Sequence, residues 1–498
     1  MRRLQPSFWP WPWLVAAALV VGSWGPLQPA VTTAQGAGRI NYLVVIYEEN
    51  HAFDNYFGRF PGADGIANAG ATATQVDKQG RPYDVLPPVL ANPAPGSAER
   101  LPDPRFPTGV PNGPFLLNAF VPQTELVPSQ IHAFYRQQYQ INGGKMDRFV
   151  AWTDAGAAPM GYWDTTGLPL YRLAREFTLA DHFFMGAFGG SFLNHMWLSC
   201  ACTPTFPNAP ADIVAIPFPD DPAHLQDRAA TPDGYVVNTS QTVNTPHAAS
   251  MPVERLVPNQ SAPTIGDRLS AAGVSWAWYS GGWNDALAGR PDPSFQFHHQ
   301  PFAYFANYAD GTPAKAQHLR DETEFLGALR DGTLPSVSFV KPLGIENEHP
   351  MTSTVARGEQ HLDDLMRAIQ ASRYWNQVAV IITYDENGGY WDHVAPPVVD
   401  RWGPGARVPT VIVSPWARRG FVDHTIYDTT SILTFIERRW GLRPLGTRDA
   451  AAADLTNAFV PGAVVAGRLP QTGSGDAQRV GSRDATPGAA GVDPAALS

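Results

Sequence analysis

The fold of this chain is decided by the stretch VAVIITYDENGGYWDH, residues 378–393. Its first seven residues are mostly apolar and β-branched, which is typical of a buried β-strand. Asp385 and Glu386 follow directly, and the glycines after Asn387 indicate a sharp turn. The stretch therefore predicts a strand that ends by presenting two carboxylates at the edge of a sheet.

A second acidic patch follows another apolar run near the start of the chain. Tyr47-Glu48-Glu49-Asn50 comes directly after residues 41–46, which also predict a buried strand. In open α/β sheets, ligands collect at the carboxyl ends of the strands, so neighbouring strands would bring the two patches together. A single Glu-Asn or Asp-Glu pair is usually a solvated surface or a helix cap, but two such pairs after strands favour a binding site. Carboxylate and amide oxygens suit a hard divalent cation such as Ca²⁺, Mg²⁺ or Mn²⁺, and they do not exclude Zn²⁺.

Short apolar runs alternate with amphipathic stretches over most of the chain, which is typical of an α/β protein. Strands enclosed by helices predict a mainly parallel sheet with both faces covered. The predicted strands are Tyr42–Ile46, Phe177–Ala180, Val274–Tyr279, Ser336–Val340, Val378–Tyr384 and Val408–Val413. The predicted helices are Gln130–Gln140, Leu168–Arg175, Ser191–Leu198, Thr323–Asp331, Gly358–Ala371 and Thr430–Arg439. Residues 60–128 and 203–262 lack this pattern and predict long loop insertions.

Length and charge limit the classes of protein to which the chain can belong. Its 498 residues are enough for one large α/β domain, and no internal repeat is visible. We interpret residues 35–465 as a single catalytic domain. The formal net charge of −10 argues against a nucleic-acid-binding protein that relies on a general basic surface. A phosphate-bearing ligand would need local attraction, from a metal ion or a cluster of donors.

The N-terminal residues 1–34 predict an export signal peptide. Arg2 and Arg3 precede an apolar stretch, Trp9–Trp24, and small residues follow it up to Ala34. The alternative is an uncleaved membrane anchor, but the stretch is short and contains two prolines. We therefore expect a secreted or periplasmic protein without a membrane span after cleavage. Residues 466–498 are small and polar, without an apolar face, and predict a disordered tail.

Two glycines and a serine begin another stretch that bears on chemistry, GGSFLNH at residues 189–195. A helical pattern follows, which places Ser191 at or near a helix N-terminus. The serine could simply cap the helix. Alternatively, backbone N–H groups and the helix dipole would favour an anion beside its hydroxyl. A metal could then lower the pKa of that hydroxyl and make Ser191 a nucleophile for a phosphoryl group.

Several histidines lie in contexts that suit phosphate chemistry. The pair His298-His299 and His349 lie among turn and aromatic residues, and His132 lies in the predicted helix Gln130–Gln140. A single histidine of this kind is more often structural or exposed than catalytic. As a group, they could hold phosphate oxygens or protonate a leaving alkoxide. Five further histidines are left open between these two interpretations, namely His51, His195, His361, His393 and His424.

Only two cysteines occur, Cys200 and Cys202. In an oxidising compartment they could form a disulfide bond, although so small a ring would be strained. They could also ligate a soft metal, but two ligands do not make a site. We favour buried free thiols over both alternatives.

These motifs resemble, in order, those of the bacterial phosphoesterase family that includes secreted acid phosphatases and non-haemolytic phospholipases C. The matching segments are Glu48–Gly58, Asn142–Phe149, Ala180–Phe184, Gly189–Asn194, Glu348–Pro350, Tyr384–Val394 and Arg407–Trp416. They extend from about residue 40 to about residue 440, so the resemblance covers nearly the whole chain after the leader. It implies an alkaline-phosphatase-like fold, a three-layer α/β/α sandwich.

The resemblance also implies roles for particular residues. One divalent metal ion would be bound by Glu49, Asn50, Asp385, Glu386 and Ser191. Ser191 would also be the nucleophile. The phosphate would be surrounded by His132, His298, His299 and His349, with Asn194 as a further substrate-binding residue. The residues left to support the metal ligands are Glu48, Asp54, Asp392 and His393.

We interpret the chain as an exported, metal-dependent hydrolase of phosphoric esters. Because it ends soon after residue 460, it resembles the acid phosphatases more than the larger phospholipases C, and we expect phosphomonoester substrates and a phosphoserine intermediate. His349 is the expected acid for the leaving alcohol. One alternative is a phospholipase C, with the aromatic segments Trp276–Trp283 and Phe295–Phe305 as its lipid rim. The other is a non-catalytic protein that only binds phosphate esters.

Overall fold

A computed structural model describes residues 39–467 of the chain. Its strands are β1 (Tyr42–Glu48), β2 (Val85–Leu86), β3 (Val110–Pro111), β4 (Phe115–Leu116), β5 (Gly161–Tyr162), β6 (Thr178–Ala180), β7 (Phe183–Phe184), β8 (Pro217–Phe218), β9 (Asp221–Leu225), β10 (Trp276–Ser280), β11 (Leu319–Asp321), β12 (Val337–Lys341), β13 (Val378–Tyr384), β14 (Thr410–Val413), β15 (Phe421–Asp423) and β16 (Tyr427–Asp428). Its α-helices are α1 (Phe53–Phe57), α2 (Phe134–Ile141), α3 (Pro169–Glu176), α4 (Ser191–Cys200), α5 (Ile265–Ala271), α6 (Trp283–Leu287), α7 (Pro313–His318), α8 (Glu322–Asp331), α9 (Val355–Ala371), α10 (Thr429–Trp440) and α11 (Thr447–Ala451).

The central sheet has the strand order β11-β10-β12-β1-β13-β14-β6-β15. Every neighbouring pair is parallel except the two pairs made by β14, which runs antiparallel to both β13 and β6. β1 pairs with β13 over its full length, with Ile46 opposite Ile382 and Glu48 opposite Tyr384. The two acidic patches therefore leave the sheet side by side, as the sequence predicts.

Helices cover the sheet and bury its strands. α3 and α8 both pack against α9, whereas α4 packs against α5 and α10. All seven residues of β13 are buried, as expected for a strand with helices on both faces. The observed architecture confirms the predicted α/β class with a mainly parallel central sheet.

The ends of α10 show how local sequence places these helices. The side chain of Asp428 accepts a hydrogen bond from the backbone N–H of Thr430 at 2.7 Å, so it caps the first turn. Gly441 takes the left-handed conformation with a φ of 65°, which ends the helix without a steric penalty. Ile432, Leu433 and Ile436 are fully buried between these caps.

All six predicted strands are present, and the differences lie in shorter elements and boundaries. β11 and β15 are not among the predicted strands, because each has three residues that include a charged side chain and so shows no apolar run. The prediction of a helix over Gln130–Gln140 is wrong at its start, because Ala133 is extended and α2 begins at Phe134. His132 therefore precedes the helix instead of lying within it.

The preference for free thiols is also wrong, because Cys200 and Cys202 form a disulfide bond. Cys200 ends α4, and Ala201 takes a left-handed conformation with a φ of 48°. That turn reverses the chain and leaves the two Cα atoms 5.1 Å apart, within the usual range for a disulfide.

Within their described residues, the predicted loop insertions contain short strands and 3₁₀ helices of three or four residues, and no α-helix. The predicted leader, residues 1–34, lies outside residues 39–467, as does nearly all of the predicted tail, residues 466–498. The boundaries proposed for the catalytic domain stay a prediction. No helix within residues 39–467 has the length and apolar character that crossing a membrane requires.

Candidate active site

The two acidic patches meet where β1 and β13 end. The backbone N–H of Asp385 donates to the carbonyl of Glu48 at 3.0 Å, and the N–H of Asn50 donates to Oδ1 of Asp385 at 3.2 Å. Asn50 has a φ of 64°, a left-handed conformation that asparagine tolerates better than most residues. The carboxylate of Asp385 therefore fixes the turn that leads out of the first patch.

Gly388 allows the second patch to approach the first this closely. Its φ is 62°, and a Cβ at this position would lie 2.4 Å from the carbonyl oxygen of Asn50. A residue with a side chain would push the two turns apart. The glycine after the Asp-Glu pair is therefore required by the backbone contact.

A buried lysine joins the first patch to the next strand. Lys341 is the last residue of β12, and its Nζ lies 2.7 Å from Oε1 of Glu49. Nε2 of His299 lies 2.7 Å from the same oxygen. Burial by itself would raise the pKa of Glu49, but Lys341 and His299 outweigh burial and hold that pKa well below its ordinary value. Glu49 is therefore ionised at neutral pH.

Ser191 is the first residue of α4 and points at the first patch. Gly190 is the N-cap residue, and no side chain caps this helix, so the interpretation of Ser191 as a cap does not hold. Its Oγ donates to Oε2 of Glu49 at 3.1 Å. Gly189, with a φ of 96°, lets the loop before the helix pass close to α2, where a Cβ would lie 2.7 Å from the N atom of Phe134.

Asn194 lies one turn further along α4 and supports the loop that carries Ser191. Its Oδ1 accepts from the N–H of Ala187 at 2.9 Å. Its Nδ2 donates to the carbonyls of Ala187 at 3.2 Å and Gly190 at 3.1 Å. The fully buried side chain thus faces the loop, and the structure does not bring it to the cavity beside Ser191.

His132 and His349 are held in defined tautomers. The carbonyl of Gln130 accepts from Nδ1 of His132 at 2.7 Å, so Nε2 of that ring accepts from Nδ2 of Asn50 at 3.2 Å. In His349, Nδ1 accepts from the backbone N–H of Met351 at 3.3 Å, which leaves the proton of the neutral ring on Nε2. Burial lowers the pKa of His349 to about 4.

The other imidazoles pack together behind Ser191. The rings of His299 and His195 stack with centroids 5.1 Å apart, and His298 packs edge-on against His299 at 4.8 Å. Burial lowers the pKa of all three rings, so they are neutral at pH 7 and each can donate one N–H. His195 had no assigned role. Its Nδ1 donates to the carbonyl of Ser191 at 2.7 Å, and one of its nitrogens, together with Glu49 and His299, forms a cluster of metal-type ligands.

A cavity of about 150 Å³ opens beside these groups. Six of the predicted site residues line it, namely Glu49, His132, Ser191, His298, His299 and His349. The rest of its lining is mostly polar, and the exposed Met351 lies at its mouth. Pockets that enclose a drug-sized ligand are about 300–1,000 Å³, so this cavity suits a phosphoryl group rather than a whole lipid.

The remaining predicted ligands offer oxygens that lack partners. Oδ1 of Asn50, Oδ2 of Asp385 and Oε1 of Glu386 are buried without a hydrogen-bond partner within residues 39–467. Burial raises the pKa of Asp385 and of Glu386 well above the ordinary values, and the charge of Glu49 raises both further. A bound cation would supply the missing partner and the opposing charge. The residues present therefore fit a divalent metal ion held by oxygen ligands.

The predicted supporting residues form a neighbouring network. Asp54 and Asp392 both contact the buried guanidinium of Arg407, which donates through Nε to Oδ1 of Asp392 at 2.9 Å. His393 donates from its backbone N–H to Oδ2 of Asp54 at 2.8 Å. These contacts hold the loop after β13 against α1. Glu48 is fully buried and has no side-chain hydrogen bond within the described residues.

Sequence reasoning missed Lys341 and left His195 unassigned. Lys341 could have been found from the sequence, because a lysine at the end of a buried strand is unusual; that strand, β12, pairs with β1. His195 follows Ser191 by four residues, so it lies on the same side of α4, and that spacing was the signal for His195.

Comparison with known proteins assigns the class of the protein. A sequence model of the Phosphoesterase family matches residues 40–443. The chain belongs to this family. It is 26% identical to a Non-hemolytic phospholipase C of Burkholderia pseudomallei over 84% of this chain and 59% of the relative. It is also 26% identical to Phospholipase C A of Mycobacterium tuberculosis, over 89% of this chain and 82% of the relative.

A second Non-hemolytic phospholipase C, from Pseudomonas aeruginosa, is 24% identical over 84% of this chain and 57% of the relative. The chain thus spans less than two thirds of the length of two of these relatives. Among solved structures, it is similar to a protein in the alkaline phosphatase superfamily from Vibrio parahaemolyticus, with a TM-score of 0.28 and 12% identity over 54% of this chain and 59% of that chain. The phosphonate monoester hydrolase of Agrobacterium radiobacter gives a TM-score of 0.31 and 11% identity over 59% and 74% of the two chains.

Proposed function

We propose that the chain is a metal-dependent hydrolase of phosphoric esters in which Ser191 is the nucleophile. One observation carries this proposal. The hydroxyl of Ser191 donates to Glu49 at the wall of a small polar cavity that four further predicted residues, all histidines, also line. Phosphoryl transfer requires a nucleophile, a charged group that orients it and donors for the phosphoryl oxygens, and all three are present at this point.

The proposed ligands of the metal ion are Glu49, Asn50, Asp385, Glu386 and Ser191. A divalent ion bound there would neutralise negative charge on the transferred group and favour the ionised form of a serine hydroxyl. Its identity and the number of ions bound are part of the proposal to be tested.

The other steps of the proposed reaction are assigned to side chains of the protein. Glu49 accepts from Oγ of Ser191 and so directs a lone pair of that oxygen towards the cavity. The hydroxyl proton passes to Glu49 as the oxygen attacks phosphorus, and the bond to the alcohol breaks as the leaving oxygen takes a proton from His349. Water then hydrolyses the phosphoserine. Neutral imidazoles in the cavity wall donate N–H groups to the phosphoryl oxygens.

His349 is the proposed acid for the leaving alcohol. Its Nε2 carries the proton of the neutral ring, and the ring lines the cavity. Because burial lowers its pKa to about 4, the ring can act as an acid near neutral pH only after a negative substrate raises that pKa. The acid role is therefore expected to depend on the bound phosphate.

Phosphomonoesters are the first candidate substrates. The cavity has room for one phosphoryl group, and its several donors suit a dianion. The second candidate is a phospholipase C activity on phosphodiesters. The names of the relatives favour it, and so does the exposed side chain of Met351, which offers apolar contact at the cavity mouth.

The test compares p-nitrophenyl phosphate with p-nitrophenyl phosphorylcholine, with and without a chelator. We expect faster hydrolysis of the monoester and loss of both activities in Ser191→Ala by at least about a thousandfold. Ser199→Ala is the matched control, since Ser199 lies in the same helix and donates only to the carbonyl of Met196. Hydrolysis by Ser191→Ala at the wild-type rate would show that Ser191 is not the nucleophile.

The two other outcomes are equally clear. Faster hydrolysis of the phosphorylcholine diester would replace the phosphatase proposal with the phospholipase C candidate. Tight binding of phosphate analogues without turnover would show a non-catalytic binding protein.

Export to the periplasm or medium is also part of the proposal, and it rests on the leader pattern of residues 1–34.

A further inference from the structure

A second group of metal-type side chains lies beyond the ends of β6 and β15, apart from the residues of the candidate active site. These two strands are parallel, with Ala180 opposite Asp423. The next residue of each, Asp181 and His424, therefore leaves the sheet beside the other, and His182 follows Asp181. The arrangement repeats the one that joins the acidic patches after β1 and β13.

Asp181 contacts both imidazoles at once. Its Oδ1 lies 2.8 Å from Nδ1 of His182, and its Oδ2 lies 2.8 Å from Nδ1 of His424. One ligand atom from each of the three residues lies within 4.8 Å of the others. In a tetrahedral zinc site, two donors that each lie about 2.1 Å from the ion are about 3.4 Å apart, so Asp181 and each imidazole would have to move apart by roughly 0.6 Å to admit an ion.

Outer residues orient this group in the way that metal sites require. Oδ2 of Asp64 lies 3.3 Å from Nε2 of His182, and Oδ1 of Asp64 lies 3.2 Å from Nε2 of His393. Histidines that ligate a metal through one nitrogen usually donate the other N–H to a carboxylate. Asp181 accepts an N–H from Nδ1 of each ring, so an ion would displace both protons. Asp64 can then hold the proton of His182 on Nε2 while Nδ1 binds the cation.

The backbone of the group is fixed, yet solvent can reach it. Nη1 of Arg407 donates to the carbonyls of Asp64 and Asp181, at 2.8 Å in each case. The side chain of His424 is 60% exposed and that of His182 is 19% exposed. An ion from solution can therefore enter without a rearrangement of the core.

We propose that Asp181, His182 and His424 bind a divalent transition-metal cation such as Zn²⁺. Two imidazoles and one carboxylate, with water in the remaining positions, form a donor set that favours transition metals over Ca²⁺ or Mg²⁺. The ion ties the end of β6 to the end of β15 and so stabilises this edge of the sheet. This site is independent of the proposed hydrolase activity and shares no ligand with it.

The test measures zinc content of the full chain after equilibrium dialysis against Zn²⁺, by elemental analysis. Wild type and His424→Ala are compared with His224→Ala, the matched control, because Nδ1 of His224 also contacts a single carboxylate, at 2.7 Å from Asp221. We expect His424→Ala to bind one equivalent less than both other proteins. Zinc bound at the candidate active site contributes equally to all three and cancels.

Equal zinc content in wild type and His424→Ala would overturn the proposal, and so would an equal loss in His224→Ala. His182→Asn provides a second variant, and it must also lose one equivalent. Co²⁺ gives an independent readout, because the visible absorption of a Co²⁺–imidazole site should be present in wild type and reduced in both cluster variants. Unchanged absorption would count against the site.

Discussion

Lys341 and Glu49 form a buried ion pair at the point where β12 and β1 end. The Nζ atom lies 2.7 Å from Oε1 of Glu49, and neither side chain is more than 1% exposed. Nζ also donates to the carbonyl of Glu48 at 3.2 Å. Glu49 also accepts from the hydroxyl of Ser191, so this carboxylate links the ammonium group of Lys341 to the candidate nucleophile.

Replacing this lysine tests how far the fold depends on the pair. We expect Lys341→Met to lower the free energy of unfolding by about 3–5 kcal/mol, because it leaves the carboxylate of Glu49 buried without its main partner. Urea denaturation at pH 7 measures the change. Lys145→Met is the control, since Lys145 is exposed and its replacement should cost less than about 0.5 kcal/mol. Equal changes in the two variants would contradict the prediction.

Metal removal should destabilise the wild type more than a variant that lacks one proposed ligand. At a metal concentration 100-fold above Kd, binding contributes about 2.7 kcal/mol to the free energy of unfolding, and a chelator removes that contribution. In Glu386→Gln we expect a much smaller difference between metal-loaded and chelated protein, measured as the melting temperature. Glu254→Gln, at an exposed position, should retain the full difference. A full difference in Glu386→Gln would remove Glu386 from the proposed ligands.

The pair His361–Glu322 predicts a loss of stability in base. Burial alone would lower the pKa of His361, but Glu322, at 2.6 Å, outweighs burial and raises the pKa from 6.5 to about 9. The charged histidine therefore stabilises the fold fully below pH 6.5, and the contribution disappears as the pH rises through 9. We expect His361→Gln to cost about 3 kcal/mol at pH 6 and much less at pH 10, by urea denaturation.

A double-mutant cycle controls this prediction. Glu322→Gln should show the same pH dependence, and adding it to His361→Gln should cost little more than either change alone. If the losses in the free energy of unfolding from the two substitutions add fully at pH 6, the two residues do not interact.

Glu359 predicts a second loss of stability with rising pH, from a different cause. Burial raises the pKa of its carboxyl group from 4.5 to about 8, while the hydroxyl of Tyr56 and the N–H of Leu170 are its partners. The neutral form stabilises the fold below pH 4.5, and that contribution is lost as the pH rises through 8. Glu359→Gln should therefore gain on the order of 3 kcal/mol over the wild type between pH 5 and pH 9.

Urea denaturation at the two pH values measures this gain. Glu254→Gln serves again as an exposed control and should follow the wild type at both. A Glu359→Gln curve parallel to the wild type would show that the carboxyl group is already ionised at pH 5.

Much of the fold could be predicted, because strand formation depends on residues that are close in the chain. Val378–Tyr384 is observed with the predicted bounds, and the turn after it brings Asp385 next to Asn50. The boundary of α2 could not be predicted, because the helical pattern continues upstream while Ala133 is extended. Whether Cys200 and Cys202 pair depends on the left-handed turn at Ala201, which no pattern marks.

The sequence alone determined the α/β class, the position of both acidic patches after strands, and the candidate nucleophile at a helix start. These follow from local patterns of apolar and polar residues. Only the tertiary structure decided which side chains meet. It paired Lys341 with Glu49 and turned Asn194 towards a loop. It also left one oxygen each of Asn50 and Asp385 without a hydrogen-bond partner among residues 39–467. The reason is that strand order and turn conformation, not distance along the chain, set the contacts among residues some 300 positions apart.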